Sequence, residues 1–181
     1  VVMGGGLGLF SGASHRVVTD TSKLAMPEIK IGLFPDVAAT WYFNRMPRYI
    51  GLFLAMTGAT LGPADALFTG LATHARRHDA KDALLAALAA CQDWQHPQAA
   101  VSDLLDDMDE NTISARPSEA PLIGRLDTLF DATRGPTVAA IAERITALAE
   151  SDDAWLAAAA KNLAEGCPVT AHLIHRQLGA G

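Results

Sequence analysis

Cysteine is scarce in this chain. Cys91 and Cys167 are the only two, they lie far apart, and neither belongs to a CxxC pair or has histidines at ligand spacing. A disulfide framework and a zinc site are therefore not expected. No apolar run approaches the roughly 18 residues needed to cross a bilayer, the longest lying around Ile50 to Met56. With no basic-then-apolar stretch at its start either, the expectation is a cytoplasmic protein with no membrane partner. Basic excess is missing too: 14 Lys and Arg against 20 Asp and Glu leave a net charge of −6. That balance argues against a nucleic-acid partner. Aromatic residues make up only 6% of the chain, yet half of the 181 residues are hydrophobic and 19% are charged, which excludes a disordered tail. The length suits one ordinary domain.

Charge and texture divide the chain unevenly. Residues 1–60 carry a net +2 and residues 61–181 a net −8. The first region is rich in glycine, β-branched residues and Pro-bounded turns; the second is dominated by alanine and leucine at helical spacing. The change of texture falls near Arg76-Arg77-His78-Asp79, dividing a region 1–78 from a helical region 79–181. In the first, Val1 to Met3 reads as the end of a buried strand, and the glycines open a helix through about Ala13. Short strands are expected over Arg16 to Thr19 and Ser22 to Ala25, the latter stopped by Met26-Pro27. Asp36 is placed to cap a helix through Arg45, and another helix runs from Arg48 to Met56 and ends at Gly58. A helix near Pro63 to Phe68 and an extended piece over Leu71 to Ala75 follow. Beyond, Val138, Ile141, Ile145 and Leu148 form one apolar stripe, and Leu122, Leu126 and Leu129 another. Pro97, Pro121, Pro136 and Pro168 mark helix starts.

Chemistry concentrates in the first region. Gly4-Gly5-Gly6-Leu7-Gly8 stands between a strand and a helix, where free N–H groups can hold a phosphate or a developing oxyanion. The competing use is tight strand-to-helix packing. The run is neither GxGxxG, since Leu9 fills the last glycine position, nor GxxxxGK[ST], so a dinucleotide fold and a P-loop are disfavoured. Glu28 and Asp36 each follow a proline. They read either as a solvated turn residue and a helix cap, or as carboxyls held against Ile29, Ile31, Leu33, Phe34, Val37 and Trp41, where a raised pKa or a poised base results. His74 ends an expected strand and reads as structural. Arg76-Arg77 reads as exposed, with contact to a ligand phosphate as the alternative. Asp103, Asp106, Asp107, Asp109 and Glu110 read as a solvated face, Cys91 as filler in an alanine-rich helix, and His172 and His175 as a helical pair lacking a third metal ligand.

Taken in order, MGGGLGL, AMPEIKIGLFPDV, Met56-Thr57-Gly58, the GLATH of Gly70 to His74, and Cys167-Pro168-Val169-Thr170 through Arg176-Gln177-Leu178 resemble the crotonase (enoyl-CoA hydratase/isomerase) superfamily. Within it they are most similar to the 3-hydroxyisobutyryl-CoA hydrolase branch. The resemblance implies a truncated crotonase-like α/β (α+β) fold, the last part of its ββα core followed by helices, and an acyl-CoA thioester hydrolase of valine breakdown. It implies no cofactor or metal, CoA being part of the substrate. Gly5 would supply one oxyanion N–H, Glu28 the principal catalytic carboxylate and Asp36 the second acid, with Gly4 and Phe34 also lining the substrate site. Hydratases of the superfamily carry a glutamate where this chain has Gly8, which disfavours hydration. Ala38-Ala39-Thr40 replace family glycines, and Asn44 replaces a proline or serine. The resemblance also implies a homo-oligomer, and the abrupt Val1-Val2-Met3 start implies an upstream segment of the same protein carrying the other oxyanion donor, without which these residues are inactive. An isomerase using Glu28 alone and a non-catalytic helical assembly module are the alternatives.

Overall fold

In the computed structural model, which describes residues 1–47, 49–92, 94–108, 112–113 and 115–178, strand β1 (Val2–Met3) runs at once into helix α1 (Gly5–Ser11). Strands β2 (Val17–Thr19) and β3 (Leu24–Ala25) follow, then a 3-10 helix at Glu28–Ile31. Helices α2 (Ala39–Phe43), α3 (Ile50–Thr57) and α4 (Pro63–Phe68) lead to strand β4 (His74–Arg76). The rest is helical: α5 (Lys81–Ala90), α6 (Pro97–Asp107), α7 (Leu126–Thr133), α8 (Val138–Ala147), α9 (Ala154–Ala164) and α10 (Pro168–Leu178). Two parallel pairs form the sheet portion. Val2 lies opposite Leu24 and Met3 opposite Ala25 in one; Val18 lies opposite Ala75 in the other. Parallel pairing requires a long crossover. The segment containing α1 and β2 provides the first, and that containing α2, α3 and α4 the second.

Helix α3 is the centre of the molecule. All eight of its residues are buried, as a helix apolar at every position but Thr57 demands, and the Thr57 hydroxyl donates to Phe53 O. It is surrounded by α2, α7, α9 and α10. The two apolar stripes face this centre: Leu122, Leu129, Ile141 and Ile145 are buried, and Leu126, Val138 and Leu148 pack around them. The core therefore draws side chains from both sides of residue 78. Helix α9 is held at its start by Asp153, whose Oδ1 accepts the Trp155 N–H at 2.9 Å while the carboxylate pairs with Arg125 at 2.6 Å. Helix α5 departs from the pattern, for none of its residues is buried. Among the described residues no helix is long and apolar enough to cross a membrane.

Several expected boundaries move, each for a local reason. The extended piece near Leu71 begins only at His74, because Arg16 takes the Leu71 and Gly70 carbonyls and Ala72 N–H turns back to Ala66 O. His74 thus opens its strand instead of ending it. Asp36 caps nothing: α2 starts three residues later, with Ala38 before it in the left-handed region at φ 65°. After Pro121 the chain first makes a 3-10 helix, its Leu122 N–H captured by the buried Asp65 carboxylate at 3.0 Å. Helix α8 starts past Pro136 since Thr137 supplies the cap, accepting the Ala140 N–H. Cys91 stands just beyond α5 in extended conformation. Arg76 is buried, not exposed, and donates to Leu105 O and to Thr112 Oγ1, tying β4 to the end of α6. Asp103, Asp106 and Asp107 are exposed. Arg48 at the expected start of α3, and Asp109 and Glu110 of the acidic run, lie outside the described residues.

Candidate functional site

Because β1 and β3 run side by side and in the same direction, whatever follows them is delivered to one place. Gly4 follows β1 and donates its N–H to Ala25 O, the last residue of β3, at 3.2 Å. Glu28 follows β3 by way of Met26-Pro27. The glycine run and the first carboxylate therefore meet just outside the carboxyl ends of two parallel strands, the position at which α/β sheets present ligand sites. Gly4 has φ +54°, and a Cβ built on it would stand 2.9 Å from Glu28 Oε1. Only glycine leaves room for that carboxyl. Gly5 opens α1, so its N–H has no intrahelical acceptor. A Cβ on Gly5 would meet nothing within 4 Å.

Glu28 is 9% exposed, not a solvated turn residue. Its 3-10 helix is gripped from behind, where Cys167 N–H donates to Ile29 O at 3.1 Å and Gly166 lies so close that a Cβ there would come within 2.6 Å of Ile29 Cγ1. The α9–α10 junction thus holds the 3-10 helix that carries Glu28 in place. Burial pushes the Glu28 pKa up; the Glu28 backbone N–H opposes the rise, and the Asp36 charge adds to it. Asp36 itself is exposed, on the turn after Pro35. Phe34 is half-buried and packs against the core.

Gly8 is closed from outside. A Cβ on it would fall 2.4 Å from Val37 Cβ and 2.9 Å from Val37 O. Val37 and Ala38 both hold positive φ, 41° and 65°, and this places the Val37 backbone over α1. No side chain larger than hydrogen fits at Gly8 while that turn stands. Around Glu28 the arrangement accordingly offers one buried carboxyl, one exposed carboxyl and an open helix N-terminus.

One neighbour had no signal in the sequence. Tyr42 of α2 is 4% exposed and its hydroxyl is buried without a hydrogen-bond partner. Burial, then the charges of Glu28 and Asp36, raise its pKa strongly. A tyrosine in an apolar helix reads as core, and only the folded chain brings it to the carboxyls. His74 is remote from this group; it stacks on His15 with ring centroids 5.7 Å apart. Among the described residues no three His, Cys, Asp or Glu side chains are grouped to hold a metal ion.

Comparison with known proteins gives the family of the chain. A family model described as enoyl-CoA hydratase/isomerase matches residues 1–181. The chain is 32% identical over 182 residues to 3-hydroxyisobutyryl-CoA hydrolase 1 of Arabidopsis thaliana, covering 100% of this chain and 47% of that protein. It is 30% identical over 190 residues to small ribosomal subunit protein mS47 of Neurospora crassa, covering 100% of this chain and 37% of that one. A crystal structure of a carnitinyl-CoA dehydratase from Mycobacterium thermoresistibile superposes with a TM-score of 0.75 at 33% identity, over 99% of this chain and 49% of the other. The chain thus spans about half the length, or less, of the proteins it matches.

Proposed function

The chain belongs to the enoyl-CoA hydratase/isomerase family and carries part of the crotonase-like fold, and on that premise we propose that the intact protein hydrolyses a short 3-hydroxyacyl-CoA thioester of the 3-hydroxyisobutyryl type. The observation that carries the reading is the closed position at Gly8. Hydration needs two acid/base groups flanking the double bond, and the Val37 turn leaves no room for a carboxyl-bearing side chain at Gly8. Thioester cleavage needs only one such group.

In this reading the Gly5 N–H donates to the thioester carbonyl oxygen, joined by a second donor from upstream of Val1. Stabilising the oxyanion in this way lowers the barrier to addition. Glu28 either adds to the carbonyl carbon or removes a proton from the water that does so. In the first case CoA leaves as thiolate, a mixed anhydride forms, and water then cleaves it to free acid and Glu28 carboxylate. In the second, water adds directly and CoA thiol departs with the proton. Asp36, exposed beside Glu28, contacts the substrate hydroxyl or passes the proton to the leaving sulfur. Gly4 and Phe34 complete the acyl end of the site. The protein acts in the cytoplasm as an oligomer joined through its C-terminal helices, and residues 1–181 alone are inactive.

Thiol release from a panel of acyl-CoA thioesters tests the proposal on the intact protein. A preference for 3-hydroxyacyl thioesters is expected, with Glu28→Gln lowering kcat by about 10³-fold. Double-bond migration in place of thiol release would replace the reading with an isomerase. Near-normal turnover by Glu28→Gln would remove Glu28 from its role. The match to a ribosomal protein favours one further reading, an assembly module without catalysis, which would be indicated by silence toward every thioester.

A further inference from the structure

Glu28 presents its two oxygens to different surroundings. Oε1 faces Gly4 and the open glycine run, while Oε2 is buried and has no hydrogen-bond partner. The Tyr42 hydroxyl is buried and partnerless as well. Buried polar atoms are satisfied in the great majority of native sites, commonly by a shared water when a donor and an acceptor lie near each other. We propose that Tyr42 is the positioning residue of the site, its hydroxyl donating through one bridging water to Glu28 Oε2 and so holding Oε1 toward the thioester. The proposal deepens the hydrolase reading and rests on it for its kinetic consequence alone.

The roles of donor and acceptor are forced by charge. Tyr42 keeps its proton, because burial and the negative charges of Glu28 and Asp36 all oppose its ionisation. It can therefore serve a carboxylate as a permanent O–H donor. Besides Tyr42, the ionised Glu28 is helped by its own backbone N–H. Helices α1 and α3, on either side, contain no ionisable side chain. Lys30 on the same 3-10 helix is exposed, and Lys161 and Glu165 of α9 pair with each other at the surface. Asp36 repels. A second hydrogen bond aimed at the ionised form is then a means of keeping Glu28 a base or nucleophile in an apolar pocket.

Tyr42→Phe removes the oxygen and little else. In the intact protein, the acidic limb of kcat/KM against pH is expected to move up by about one unit, and the plateau at high pH to fall as well, because Oε1 is no longer held toward the thioester. Carbon-13 NMR titration of the Glu28 carboxyl, assigned with Glu28→Gln, is expected to show the same upward move without any need for turnover. Fluorinating the Tyr42 ring, which strengthens the donor at almost constant shape, is expected to move the titration down, and keeps the question open to measurement should Tyr42→Phe fold poorly. An identical Glu28 titration in wild type and Tyr42→Phe would overturn the proposal. A wild-type protein that releases no thiol but shows the Tyr42-dependent titration would instead overturn the hydrolase reading and leave the Tyr42 assignment standing.

Discussion

Gly4 and Gly8, at the two ends of the run, exclude a side chain for different reasons. At Gly4 the obstacle is the Glu28 carboxyl itself, together with a φ of +54°. Gly4→Ala is expected to displace Glu28 and lower thiol release by about 10²-fold, the usual penalty for a misplacement near 1 Å, with a modest loss of thermal stability. Full activity in that variant would show that the carboxyl does not need its present place. The glycine run and Glu28 were legible in the sequence as motif residues. Their contact was not, because it depends on the pairing of β1 with β3 some twenty residues later in the chain. Val37 over Gly8 and Tyr42 near Glu28 were hidden for the same reason: a valine and a tyrosine among apolar neighbours carry no sign of which face they will meet.

Among the elements, α9 and β4 show how single polar groups fasten the helical half to the site. Asp153 is both the cap of α9 and the partner of Arg125. Asp153→Ala is expected to cost about 1–2 kcal/mol in urea unfolding, and Asp153→Asn less, since asparagine still caps. At β4, burial first, then the charges of Arg76 and His15, hold the His74 pKa below its ordinary value, against a smaller opposite pull from Asp106. The folded state therefore binds fewer protons than the unfolded state. The stabilisation is complete above the unfolded pKa of about 6.5 and is lost as pH falls through the lower folded value. Thermal stability should accordingly fall as pH drops below about 6.5, and less so in His74→Gln; equal losses in both would assign the effect elsewhere. Proline as a first-turn residue placed the starts of α6 and α10 at Pro97 and Pro168 correctly. It misplaced the starts near Pro121 and Pro136, where Asp65 and Thr137 capture N–H groups that no periodicity reveals.

At the scale of the whole molecule, apolar surface remains uncovered around the site. Leu9, Ile31, Leu33 and Trp41 are all more than half exposed, Leu9 at 85%, and among the described residues each of the two sheets has two strands. Surfaces of this kind are normally buried against further protein. Residues 1–181 by themselves are therefore expected to bind an apolar fluorescent dye and to self-associate in sedimentation. A monomer that leaves the dye dark would show the surface to be content in water.

The sequence by itself determined the order of strand, glycine run, helix and proline-led carboxylates, and the helical stripes that pack beyond them, because each is a local pattern read over a few residues. The tertiary structure alone decided that Glu28 is buried, that Arg76 is turned inward to α6, that Gly8 is shut by Val37 and that Tyr42 stands by the carboxyls. Those outcomes are set by contacts between residues far apart along the chain, and burial and electrostatics follow from such contacts and not from residue type.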